Sequence, residues 1–173
     1  MYRNIDDFRS HWQEEVTDTL KVLDAIHDAK LGQAVSPEHR DLRRLAWHLA
    51  SSIVGLPAGM GLKVEGPRVG PQGEDLDTPP ASMAGLRAAY ATAAASLLEQ
   101  VKGWTDADLE IEHTFFGHLV WKRGYALQAL EMHQAHHRGQ MTVLLRQAGL
   151  PVPEFYGPTK EGWEKLGMMA PAV

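Results

Sequence analysis

The residues best equipped for chemistry lie in "EMHQAHHRGQM", residues 131–141, where His133, His136 and His137 fall within five positions. Imidazole can act as a general base, a proton shuttle or a metal ligand, and spacing narrows the choice. On a helix, side chains four apart lie about 5–6 Å from each other at Cβ. His133 and His137 can therefore converge on one ion, at about 2.0–2.1 Å if it is zinc. A third ligand is on offer in "RRLAWHLASS", where His48 lies toward the apolar side of a second helical segment. His136 flanks the pair and, with Gln140, suits a supporting or pocket-lining role. His113 and His118 bracket "TFFG", and His11, His27 and His39 have no such company. The spacing leaves two readings open. Either His48, His133 and His137 form a metal site, or they are core and surface imidazoles of a plain helical bundle.

Other chemistries have less support. Cysteine is absent, which removes disulfides, a cysteine nucleophile and thiolate ligands, so any metal is held through nitrogen or oxygen. His133 is followed by Gln134, where the zinc-protease pattern needs a glutamate base. The glycines between Gly55 and Gly73 lack phosphate-loop spacing. Glu110 and Glu112 read as solvated charges, and no residue is assigned as catalytic. Net charge is −5 with no basic run, which argues against nucleic acid as a partner. The polar start "MYRNIDDFRSHWQEE" lacks the pattern of a signal peptide, and no apolar run approaches the roughly 20 residues that span a bilayer. The expected location is cytoplasmic, without membrane contact.

The elements that must position these histidines are helices. Ile5, Phe8, Trp12, Val16, Leu20, Leu23 and Ile26 recur at steps of three and four, which predicts a first helix of about 25 residues stopping near Gly32. Ser36 and Pro37 read as the start of a second, whose face carries Leu42, Leu45, Leu49 and either Ser52 or Ile53 until "GLPAGMG". A glycine- and proline-rich connection of about 20 residues follows, long enough for a crossover. Thr78 and Pro79 read as the start of a third helix with the stripe Met83, Leu86, Tyr90, Ala93, Leu97 and Val101. "TDADLEIEHTFFGH" breaks the helical period and admits a short extended segment. A fourth helix over roughly 119–148 places His133 and His137 on its own apolar stripe, beside Leu130, Met141 and Leu144. Gln140 and Arg138 are candidates either for a pocket or for anchoring that helix. Phe155, Tyr156 and Trp163 suggest that the tail packs on the bundle. The pattern is all-α, a four-helix bundle in one domain over 1–173, with a long crossover between helices 2 and 3.

"HQAHHRGQMTVLLRQAGL" closely resembles the last-helix signature of the DinB-like family. "LRRLAWHLASS" is similar to that family's second-helix motif with its single histidine. "HTFFGHLVWKRGYALQALEMH" and "PEFYGPTKEGW" resemble its approach to the last helix and its tail. The resemblance implies an up-down-down-up order of helices. It implies one divalent metal on His48, His133 and His137, and a homodimer; three imidazoles suit zinc or nickel first among the metals they can hold. Some relatives are metal-dependent transferases or isomerases that use low-molecular-weight thiols, so the resemblance points to a metal-dependent transferase that joins such a thiol to a small electrophile in detoxification or stress response. The alternatives are a metal-dependent hydrolase and a non-catalytic metal- or ligand-binding dimeric stress protein.

Overall fold

The computed structural model describes residues 1–172. Helix α1 spans Ile5–Asp24, and the Asn4 side chain accepts hydrogen bonds from the Asp6 and Asp7 amides, which otherwise lack helical partners. It ends at Ala25, earlier than the apolar stripe predicts. Ile26 stays buried, but it sits in a turn leading to a short 3-10 segment, Asp28–Lys30.

Helix α2 spans Leu42–Ala58, and its cap is Asp41 rather than Ser36. The Asp41 carboxylate accepts from the Arg44 amide at 2.7 Å. The Leu42 and Arg43 amides donate to the Gln33 and Leu31 carbonyls at 3.0 Å each, so the preceding loop completes the helix start. Ser36 instead holds Glu38 and His39 in a local turn.

Helix α3 spans Met83–Gln100 and is capped by Ser82 rather than Thr78. The Met83 amide donates to Asp28 at 2.7 Å, which ties the α3 start to the loop after α1. Between α2 and α3 the chain is irregular, pinned by the Val69 and Asp75 bridge and by Arg68 with Asp77 at 2.7 Å.

After the 3-10 segment Asp106–Glu110 come two strands, β1 (Glu112–Phe115) and β2 (Leu119–Lys122). They pair antiparallel with His113 opposite Trp121 and Phe115 opposite Leu119. Phe116 and Gly117 both have positive φ, 51° and 77°, and the His118 amide donates to the Phe115 carbonyl. This reversed turn matches the strand twist. The extended segment is thus a full hairpin, and residues 119–122 are strand where helical period predicts the fourth helix. The hairpin seats on α2 through Phe115, whose ring lies so near Gly59 that a Cβ there would sit 2.6 Å from it.

Helix α4 spans Arg123–Gln147, and a short α5 spans Gly162–Lys165. The fold is mostly helical with one small hairpin. Helix α4 packs on α1 and α2, and α3 packs on the same two. Between them lies one apolar core that includes Phe8, Trp12, Leu49, Leu86, Leu97 and Leu130. Phe155 packs against that core, as the tail aromatics suggest.

Candidate metal centre

Three imidazoles meet where α2 faces α4. His48 comes from α2, and His133 and His137 come from successive turns of α4. Their candidate ligand nitrogens all lie within 4.8 Å of one another. The Nε2 atoms of His48 and His133 are 3.0 Å apart. Ring centroids are separated by 5.0 Å for His48 and His133, 4.5 Å for His48 and His137, and 4.4 Å for His133 and His137. Two zinc ligands at tetrahedral angles have nitrogens about 3.3 Å apart, so this spacing fits one shared ion. Among the described residues no carboxylate joins this cluster.

Electrostatics favour the neutral, ligating form. Burial is the largest cause for each ring. It pushes His48 down to about 3, helped by the Arg40 charge, and His133 down to about 4, helped by His137. His137 is also lowered by burial, with His136 and Arg40 adding to it and the Gln140 hydrogen bond opposing. Deprotonated imidazoles are what a cation needs. At 3.0 Å the Nε2 atoms of His48 and His133 either share one proton, one ring donating to the other, or turn their lone pairs to a common cation.

The supporting residues have definite partners. Gln140 Oε1 lies 2.7 Å from His137 Nδ1. As acceptor there it fixes the proton on Nδ1 and leaves Nε2 for an ion. The Gln140 amide lies 3.3 Å from His136 Nε2, so His136 stands behind Gln140, exposed and outside the triad. Of the other histidines weighed, His113 accepts from Arg123 at 3.0 Å, and His118 contacts the Phe116 carbonyl at 2.8 Å. Glu110, the last residue of the 3-10 segment, pairs with Lys122 of β2 at 2.6 Å in an exposed position.

Two positioning groups are hard to see in the sequence. Gln134 is fully buried and donates to the Leu49 carbonyl at 3.1 Å and the Ser52 hydroxyl at 2.9 Å. Since Gln134 adjoins His133 and Leu49 adjoins His48, this clamp sets the register in which those imidazoles meet. Arg138 is also fully buried, paired with Glu15 at 2.6 Å and bonded to Thr19 at 2.9 Å and to the Tyr156 hydroxyl. It fixes α4 to α1 and the tail. A polar residue next to an apolar stripe is the only sequence signal for either.

The DinB family model matches residues 1–170. The chain belongs to the DinB family. An uncharacterized protein of Bacillus subtilis (strain 168), YrdA, is 36% identical over 174 residues, covering 100% of both chains. A DinB-like protein from Bacillus cereus ATCC 10987 has a crystal structure that matches with a TM-score of 0.81 at 38% identity, over 90% of this chain and 100% of that one. A second DinB-like crystal structure, YjoA of Bacillus subtilis, matches with a TM-score of 0.67 at 18% identity, over 87% of this chain and 96% of that one, and speaks for the fold alone. The family member described here has three histidines that could hold a divalent metal. No helix among its described residues is long and apolar enough to cross a membrane.

Proposed function

We propose that His48, His133 and His137 hold one divalent ion, zinc or nickel, and that the protein is a metal-dependent thiol transferase. The observation that carries the metal reading is the convergence of three neutral imidazoles, one of them oriented by Gln140. Three protein ligands leave a coordination position open, the pattern of catalytic rather than structural sites. When bound, the ion supplies positive charge that favours the thiolate form of a coordinated thiol. The chain's own part is to hold the imidazoles neutral and aimed and to fix their register through Gln134.

Thiol transfer is preferred to hydrolysis because, among the described residues, no carboxylate joins the triad. A thiol titrates near pH 8.5 and needs less help to ionise than water. The helices are read in up-down-down-up order within one domain. On the outer face of α4, Tyr125, Met132 and Val143 are exposed at spacings that align them, which supports a homodimer. The experiment is turnover of an epoxide or halogenated aromatic by metal-loaded protein with a panel of low-molecular-weight thiols. Thiol-dependent product formation that disappears in His48→Ala is the expected result. No turnover with any thiol and metal combination contradicts the transferase reading.

A further inference from the structure

The crossover between α2 and α3 is fastened at both ends and lightly held in the middle. At its start the Lys63 amide donates to Gln100 at 3.1 Å and the Glu65 amide to Ser96 at 2.8 Å, both on α3. At its end Arg43 donates to the Pro80 carbonyl at 2.8 Å and also to that of Pro79. Residues 68–77 lie between these ties and bond mostly to themselves. The Gly70 amide donates to the Glu74 carbonyl at 2.8 Å, and the Leu76 amide donates to the Arg68 carbonyl at 3.0 Å. Val69 bridges Asp75, Arg68 pairs with Asp77, and residues 71–74 at the turn are exposed.

Two contacts seat this small hairpin on α2. Val69 packs on Gly55, where a Cβ would lie 3.1 Å from Val69 Cγ1. Arg44 pairs with Asp75 at 2.6 Å, and among the described residues this is the hairpin's one hydrogen-bonded or ionic tie to the rest of the chain. The tie is a balanced one. The Arg44 side chain is 40% exposed, while Asp75 Oδ1 is buried without a partner. Docking therefore withdraws a carboxylate oxygen from solvent without giving it a bond in return.

The two contacts straddle His48. Arg44 stands four residues before it and Gly55 seven after, spacings that put all three on one face of α2. Side chains four apart are about 5–6 Å from each other at Cβ. Seven residues advance the helix by about 10 Å. The paired Val69 and Asp75 thus reach α2 on either side of His48, which is half-buried.

We propose that residues 68–77 are a lid on the triad, latched by Asp75 on Arg44, which lifts between its fastened ends to admit a ligand to His48. What it admits rests on the metal reading above. The lid itself is tested without metal.

The chain has no cysteine, so Gly55→Cys with Val69→Cys introduces a single pair of thiols. The Gly55 and Val69 Cβ positions are 3.9 Å apart, which suits a disulfide. Metal-free full-length protein is treated with diethylpyrocarbonate, and labelling at His48 is followed by peptide mass spectrometry with the exposed His27 as reference. Oxidation removes the lifted state, so labelling at His48 is expected to slow by about tenfold against the reduced form, with His27 unchanged. Reduction with a phosphine is expected to restore it. Asp75→Asn without the staple is expected to speed labelling at His48 by about threefold, the size of a partly exposed ion pair. Equal rates at His48 in the oxidised and reduced forms overturn the lid, and so does folded protein in which the disulfide does not form. Cobalt(II) uptake is measured separately: protein that takes up none contradicts the metal reading, while the labelling rates still decide the lid.

Discussion

Helix α4 carries two buried polar clusters on neighbouring residues, and they are built in opposite ways. Around Arg138 the charges are matched. Its two terminal nitrogens meet Glu15, Thr19 and Tyr156, and the guanidinium lies 5.1 Å from the Phe155 ring centre and 5.0 Å from that of Tyr156. Only its Nε lacks a partner. Around His137 the groups are all of one kind: three imidazoles pushed toward the neutral form, with two ring nitrogens 3.0 Å apart. The first cluster completes itself within the chain and reads as architecture. The second gathers three neutral nitrogen donors, the set that a divalent cation takes, and we read it as the site.

This contrast can be broken first at Arg138. Arg138→Met leaves Glu15, with a side chain only 14% exposed, without its partner. Removing one member of such a pair costs about 3–5 kcal/mol. Urea unfolding measures the loss, and a cost under about 1 kcal/mol would show that the anchor is dispensable.

Next is the response to metal. Zinc at about 100 times its dissociation constant adds about 2.7 kcal/mol of stability to a protein that binds it only when folded. Thermal unfolding with and without zinc is expected to show that gain in the wild type and in folded Arg138 variants alike, but not in His133→Ala. A gain of the same size in His133→Ala would place the ion elsewhere.

A smaller effect is expected at Gln140. Losing the group that orients a ligating histidine lowers metal affinity by about 10–100-fold. Gln140→Ala should show this in competition with a chromophoric chelator, while urea stability without metal stays near wild type. Unchanged affinity would reduce Gln140 to a surface residue.

Acid gives the finest distinction. The imidazoles of His48 and His133 are held down at about 3 and about 4, against 6.5 for an ordinary histidine. The unfolded chain therefore binds protons that the folded chain refuses as pH falls below about 6.5, and stability falls with pH through that window. Metal-free His48→Ala should lose less stability between pH 6.5 and 4 than metal-free wild type. Equal slopes would mean that these rings titrate normally.

The histidine triad was legible because its members obey local rules. His133 and His137 are one helical turn apart, and His48 lies on the apolar side of a clear amphipathic segment. The helices were legible for the same reason. Their starts were less so, because Ser36 and Thr78 are as good capping residues as Asp41 and Ser82. What decided between them was distant backbone, the Leu31 and Gln33 carbonyls for α2 and Asp28 for α3. Strand β2 escaped because its four residues hold no periodic signal apart from their partners on β1. The Arg138 anchor escaped in part, since Glu15 is 123 residues away in the chain. Gln134 could be excluded as a base from its side chain alone, but its role as a clamp needed the position of Leu49.

The most direct test is elemental analysis of untagged protein, purified without chelator or metal resin, beside His48→Ala. The account predicts about one zinc or nickel per chain in the wild type and almost none in the variant, with both folded. A metal-free wild type that also refuses added zinc and nickel would contradict it, and the three imidazoles would then be ordinary residues of a helical bundle.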